Sequence, residues 1–133
     1  RRITVSNRGK ARREALTTLL EQRTSVEVVS LTWQGRLTVP PCDVLVDCTP
    51  VGMGSGAAAE ERVDVDLAAL SPAAVVCDLN PERAETAFLG WARERGHWTI
   101  GGLGMLARQG AAAFAKWTGV EAPLDVMEAA LGG

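Results

Sequence analysis

With 133 residues, the chain is long enough to bury a core of its own and too short for two domains of ordinary size. A hydrophobic fraction of 47% against 23% charged residues excludes a disordered tail, and a net charge of -2 excludes any general attraction to nucleic acid or to an anionic membrane. No apolar run approaches the roughly 20 residues that a membrane helix requires, and Arg1-Arg2-Ile3-Thr4 has no apolar signal segment behind it.

The pattern alternates strand and helix. Ile3-Thr4-Val5 is a short β-branched run that ends in the turn Ser6-Asn7-Arg8-Gly9. From Lys10 to Arg23, Ala11, Ala15, Leu16, Leu19 and Leu20 recur at helical spacing. Val26 to Val29 reads as a second strand, and Leu31 to Pro41 as a loop or short helix. Val44 to Cys48 is a nearly continuous apolar run, of the kind buried on both faces of a parallel sheet. Thr49 to Gly56 is a loop leaving that strand, and Ala73 to Leu79 is a further buried strand. Thr86 to Arg95 predicts a helix stopped by Gly96, and Trp98-Thr99-Ile100 one last short strand. Met105 to Trp117 predicts a helix that Gly119 stops, and Pro123 starts the final one.

This alternation defines an α/β domain with a mainly parallel sheet, whose ligands bind beyond the carboxyl ends of the strands. The places to look are therefore the strand-end loops at Asn7, Thr49, Leu79 and Gly102. In dinucleotide-binding folds an acidic residue after the second strand suits the ribose of NAD and repels the extra phosphate of NADP. Here that place reads Asn7-Arg8, with Arg12 four residues beyond Arg8. If the helix begins near Gly9, the two guanidinium groups share a side and can clamp a phosphate. A solvated basic turn is an equal alternative, since Arg1, Arg2, Lys10 and Arg13 crowd the same end. Cys42, Cys48 and Cys77 read as reduced core thiols of a cytoplasmic protein. A single His in the chain rules out a histidine-rich metal site, and His97 after Gly96 reads as a partly exposed structural residue.

Several motifs, in order, resemble the shikimate dehydrogenase family. Asn7-Arg8-Gly9-Lys10-Ala11-Arg12 is similar to that family's Asn-Arg-Thr-x-x-Arg, and Asp47-Cys48-Thr49-Pro50-Val51-Gly52-Met53 to its Asn-Ala-Thr-Pro-x-Gly-Met loop. The stretch from Gly102 to Gly119, with Met105, Gln109 and Trp117-Thr118-Gly119, is the most specific match, and Glu121 to Met127 resembles the closing helix. The resemblance implies a Rossmann-like, doubly wound fold and NADPH-dependent, reversible reduction of 3-dehydroshikimate to shikimate. It implies that Asn7, Arg8 and Arg12 hold the adenosine 2′-phosphate and that Cys48 and Thr49 line the cofactor. Leu79 and Gly102 would touch the nicotinamide end through their backbones, with Met105 beside it. Gln109 would reach a substrate hydroxyl, where otherwise it is a polar residue on a solvated helix face.

The same resemblance marks what is missing. No strand and Gly-rich turn precede Ile3, so residues 1–133 read as one partial dinucleotide-binding domain without its first, interior strand. Residues 120–133 would be a C-terminal helix packing towards an absent substrate domain. An open sheet interior predicts self-association. The family takes its proton from a Lys-Asp pair of the substrate domain; Lys10 and Lys116 are the only lysines here and neither is a credible catalyst, so no catalytic residue is expected in this chain. Gly9 stands for the family's Thr, Asp47 for its Asn, and Pro81 for a Tyr near the substrate. Pro81 opens quinate or an amino-substituted relative as alternative substrates, and with Asp47 it keeps a non-catalytic ligand-sensing module in play.

Overall fold

The computed structural model describes residues 1–132, which fall into two compact units. The first comprises Arg1–Thr38 and Asp64–Asp66. Its strands β1 (Arg2–Asn7) and β2 (Glu27–Thr32) run parallel, in register from Arg2 opposite Glu27 to Asn7 opposite Thr32. Between them lies α1 (Lys10–Arg23), with the limits its periodicity predicts. Gly9 caps it without a side-chain bond, and the Arg13 N–H closes the first turn on the Gly9 carbonyl. At the other end both the N–H and the hydroxyl of Thr24 donate to the Leu20 carbonyl. The apolar stripe of α1 is not a buried one, since Leu16 and Leu19 are exposed and Arg13 is the buried residue of the helix.

The stretch from Leu31 to Pro41 is neither wholly loop nor helix. β2 continues to Thr32, and Leu37–Thr38 forms β3, parallel to β5 (Val65–Asp66). Two residues are too few to show a period of two, and their partner lies far along the chain. Arg36 reaches both Asp64 and Asp66 at 4.0 and 3.6 Å and ties this pair together.

In the second unit β4 (Val44–Asp47), β6 (Val75–Asp78) and β7 (Trp98–Ile100) form a parallel sheet in the order β4-β6-β7. Among the described residues, β1 and β4 each have a neighbour on one edge only. The register aligns Val44, Val75 and Trp98 in one row and Val46, Cys77 and Ile100 in another, so these rows share a face. On that face Val44, Val46, Trp98 and Ile100 are exposed. The expectation that β4 is buried on both faces is therefore corrected: its continuous apolar run serves one covered and one open face. The covered face holds Val76, which is fully buried, and α2 (Ala87–Arg93) contributes Phe88, Leu89 and Ala92 to the same core. A short 3-10 helix (Gly56–Glu60) with buried Ala59 follows the loop after β4, an element the sequence pattern did not reveal.

Gly96, at φ +84, turns the chain out of α2, and the His97 N–H donates back to the Ala92 carbonyl. His97 is buried rather than partly exposed. The long helix α3 (Leu103–Thr118) begins two residues before the expected start and ends at Gly119, whose φ of +73 is the left-handed conformation a helix terminator adopts. α4 (Leu124–Ala130) starts after Pro123 as expected. Arg108 pairs with Glu128 at 2.8 Å, and Gly110 leaves room for the Met127 methyl. The cysteines are unpaired thiols as expected, yet they are not core residues: Cys48 is exposed, and Cys42 and Cys77 are half-buried. No described helix is long and apolar enough to cross a membrane.

Candidate functional site

Asn7 closes β1, and its Oδ1 accepts the Gly9 N–H at 2.7 Å, folding the turn that carries Arg8. Arg8 precedes the helix and Arg12 lies inside its first turn, so their relation is not the helical one assumed from spacing. The Arg8 guanidinium lies 5.7 Å from the centroid of the Trp33 ring, whose π face holds it in place. Arg12 is exposed in the first turn of α1, where no acidic residue stands. Arg13, set aside by the sequence pattern as part of a basic crowd, turns inward: its Nη1 donates to the Asn7 carbonyl at 2.9 Å and its Nε to Ser30 Oγ at 3.0 Å.

At the end of β4, Asp47 Oδ1 accepts the Thr49 N–H at 2.8 Å, and Thr49 Oγ1 accepts the Val51 N–H at 3.3 Å. These two side-chain turns shape the loop that carries Cys48, exposed, and Thr49, half-buried. Gly52 takes φ +83 with the Glu61 carbonyl 2.8 Å from where a Cβ would stand, so only glycine fits there.

Asp78, opposite Asp47 in register, is 1% exposed. Its Oδ1 accepts the Asn80 N–H at 2.9 Å and its Oδ2 the Thr86 hydroxyl at 2.6 Å. Thr86 Oγ1 in turn accepts the Leu89 N–H, capping α2. Asn80 reaches across to the Gly52 carbonyl at 3.1 Å and takes the Glu82 N–H at 3.0 Å. The Leu79 N–H donates to the Asp47 carbonyl at 3.0 Å, so the ends of β4 and β6 are stitched together. Gly102 packs against the backbone of Leu79 and Asn80, and one helical turn separates Met105, half-buried, from Gln109, exposed. In the first unit Asn7 and Arg8 stand on the turn after β1 and Arg12 in the first turn of α1; in the second, Cys48, Thr49, Leu79 and Gly102 lie at the ends of β4, β6 and β7, with Met105 and Gln109 following on α3.

Burial, and next to it the charge of Asp78, push the Asp47 carboxyl above the usual carboxylate range; the Thr49 hydrogen bonds oppose them. Asp47 Oδ2 is buried and has no hydrogen-bond partner among the described residues. The Cys48 thiol, exposed as a residue but partly desolvated by its neighbours, is also pushed up, first by that desolvation and then by Asp47 and Asp78. A thiol so placed is not an activated nucleophile. No group of three or more His, Cys, Asp or Glu that could hold a metal exists among the described residues. Motif reading missed Asp78, Asn80, Thr86 and Arg13. The spacing Asp78-Leu79-Asn80 and the Thr before α2 were the available signals for the first three.

Parallel strands whose carboxyl ends carry glycine-rich, side-chain-braced loops define a Rossmann-like dehydrogenase fold, and solved structures agree. The chain superposes on 5-ketofructose reductase from Gluconobacter with a TM-score of 0.87 at 30% identity, covering 98% of this chain and 47% of that one. On a shikimate dehydrogenase solved in complex with NADP+ the TM-score is 0.77 at 30% identity, covering 98% and 45%. Residues 102–131 match the family described as Shikimate 5'-dehydrogenase C-terminal domain. The NADP(+) shikimate dehydrogenase of Methanocella arvoryzae is 39% identical over 126 residues, which is 95% of this chain and 45% of that protein. Across 95% of its length the chain thus aligns with a shikimate dehydrogenase, and its family match falls in the C-terminal domain of such enzymes. It spans somewhat less than half the length of the curated relatives it matches.

Proposed function

We propose that this chain is the NADP-binding portion of a cytoplasmic dehydrogenase that reversibly reduces 3-dehydroshikimate to shikimate with NADPH. The observation that carries this reading is the turn after β1, where Asn7, Arg8 and Arg12 stand and the first helical turn holds no acid. An adenosine 2′-phosphate suits those residues, and an unmodified ribose would gain nothing from them. In the second unit Cys48, Thr49, Leu79, Gly102 and Met105 are the residues assigned to the nicotinamide side, and Gln109 the one assigned to a substrate hydroxyl. The residues fit the cofactor in one respect: the turn after β1 is basic and suits its extra phosphate. When bound, NADPH supplies the hydride; this chain binds and orients.

Proton delivery to the forming alkoxide lies outside these residues. Lys10 pairs with Glu14 on the surface at 3.7 Å, and Lys116 lies in the last turn of α3. The isolated chain is therefore expected not to oxidise shikimate. A shikimate-dependent rise in nicotinamide absorbance with the chain alone would refute this.

The cofactor assignment is tested by calorimetric titration of NADP+ and NAD+ into the chain. NADP+ should bind more tightly, and an Arg8→Ala/Arg12→Ala variant should lose about a hundredfold in NADP+ affinity, as removal of two charge-assisted contacts implies. Equal or tighter NAD+ binding by the parent would overturn it.

A second reading, reduction of a different polyhydroxylated ketone, is favoured by Pro81 in place of the family's Tyr and by the likeness to 5-ketofructose reductase. Competition between shikimate and 5-ketofructose for the full-length enzyme separates the two.

A further inference from the structure

Arg13 is 8% exposed, and no carboxylate lies within ion-pair distance of it among the described residues. Its two hydrogen bonds go to neutral acceptors, Ser30 Oγ on β2 and the Asn7 carbonyl at the end of β1. Nη2 has no acceptor among the described residues, yet it is not among the buried atoms cut off from solvent. A guanidinium taken out of water without a counter-charge is costly, and the cost falls when an anion shares its surroundings. The side chain runs from the first turn of α1 back to the strand end, so its charge lies behind the turn that presents Arg8 and Arg12. Nothing in the family motif quoted above assigns this residue a role.

We propose that Arg13 is the inner member of a three-arginine site for a phosphate monoester at the end of β1, where the bound phosphate is its missing counter-ion. This rests on the reading of that turn as the seat of the 2′-phosphate. Arg13 acts in two ways there. It fixes the Asn7 carbonyl, and with it the turn geometry, through a bond that a flexible surface arginine does not make. It also adds a positive charge whose surroundings are mostly protein rather than water, where its attraction for a dianion is screened least. Gly9, where the family has Thr, leaves the turn without a hydroxyl, so guanidinium groups supply the recognition.

The test is calorimetry of NADP+ and NAD+ with the full chain and its Arg13→Lys and Arg13→Met variants, alongside Arg8→Ala/Arg12→Ala. Arg13→Lys keeps the charge and loses the forked geometry, and should lower NADP+ affinity about tenfold while leaving NAD+ affinity unchanged. Arg13→Met should lower it further. A role as a mere strut between β1, α1 and β2 lowers both affinities together and leaves their ratio at the parent value, which overturns the proposal. Should Arg13→Met fail to fold, Arg13→Lys is read by the rise in melting temperature that adenosine 2′-monophosphate produces; a rise equal to the parent's counts against Arg13. Loss of NADP+ preference in Arg8→Ala/Arg12→Ala with full preference in Arg13→Lys sinks the Arg13 proposal alone. No preference in the parent sinks the phosphate reading and the proposal with it.

Discussion

Replacing Gly102 by alanine is expected to destabilise the chain by about 3 kcal/mol, the upper end for forcing a methyl group into filled space. Its φ of -76 and ψ of -17 are ordinary for any residue, so backbone strain is not the cause. The obstacle is steric: an added Cβ would stand 2.7 Å from the Leu79 carbonyl carbon and would overlap the Asn80 carbonyl oxygen. Both are backbone atoms at the end of β6 and cannot rotate away, so either α3 or the loop after β6 must shift. Gly104→Ala, two residues on, is the control, because its Cβ meets only the flexible tip of Arg108 at 3.2 Å. Thermal denaturation should show a fall of several degrees for Gly102→Ala and almost none for Gly104→Ala. Equal melting of Gly102→Ala and parent would show that this close approach does not hold the strand end.

Asp47→Asn is expected to stabilise the chain at neutral pH by about 1 kcal/mol, the ordinary scale of a single substitution, because the amide carries no charge for burial and Asp78 to disfavour. An asparagine keeps the oxygen that accepts the Thr49 N–H and removes the charge that faces Asp78. The groups that act on this carboxyl are Asp78 from β6 and the Thr49 N–H and hydroxyl from its own loop. Burial first, and Asp78 second, raise its folded titration above that of the unfolded chain. The protonated form therefore favours the folded state. Stability from this group is fully present below the ordinary carboxylate range and is lost as pH rises through the folded titration. The gain from Asp47→Asn should thus be near zero at about pH 3 and largest at about pH 8, on either side of the ordinary aspartate value. Melting temperatures of parent and variant across that span decide the matter. A gap that does not widen with pH would mean that Asp47 carries its charge at no cost.

The parts of the fold that sequence reading recovered are those where a local rule coincides with the tertiary answer. The limits of α1 follow from its periodicity, the end of α3 from Gly119, and the start of α4 from Pro123. The open face of β4 was illegible, because Val44 and Val46 are as apolar as strand residues covered on both sides. Sequence tells which residues prefer cover; whether cover is supplied depends on other elements. The short pairing of β3 with β5 was hidden for a related reason, since two residues have no periodicity and their partner is remote. At the candidate site, glycines and arginines at strand ends could be named in advance. The inward turn of Arg13 could not, because an arginine among arginines carries no sign of burial until Ser30 and the Asn7 carbonyl are seen to receive it.

Thr86 has a consequence beyond capping. Its hydroxyl spends its hydrogen on Asp78 and its lone pair on the Leu89 amide, while Asp78 also fastens the Asn80 amide. A single oxygen thereby couples the first turn of α2 to the loop leaving β6. Fraying of the helix start strips Asp78 of a donor, and release of the loop strips the helix of its cap. The two segments open as one cooperative unit, and a ligand that steadies the loop lengthens the lifetime of a helix it never touches.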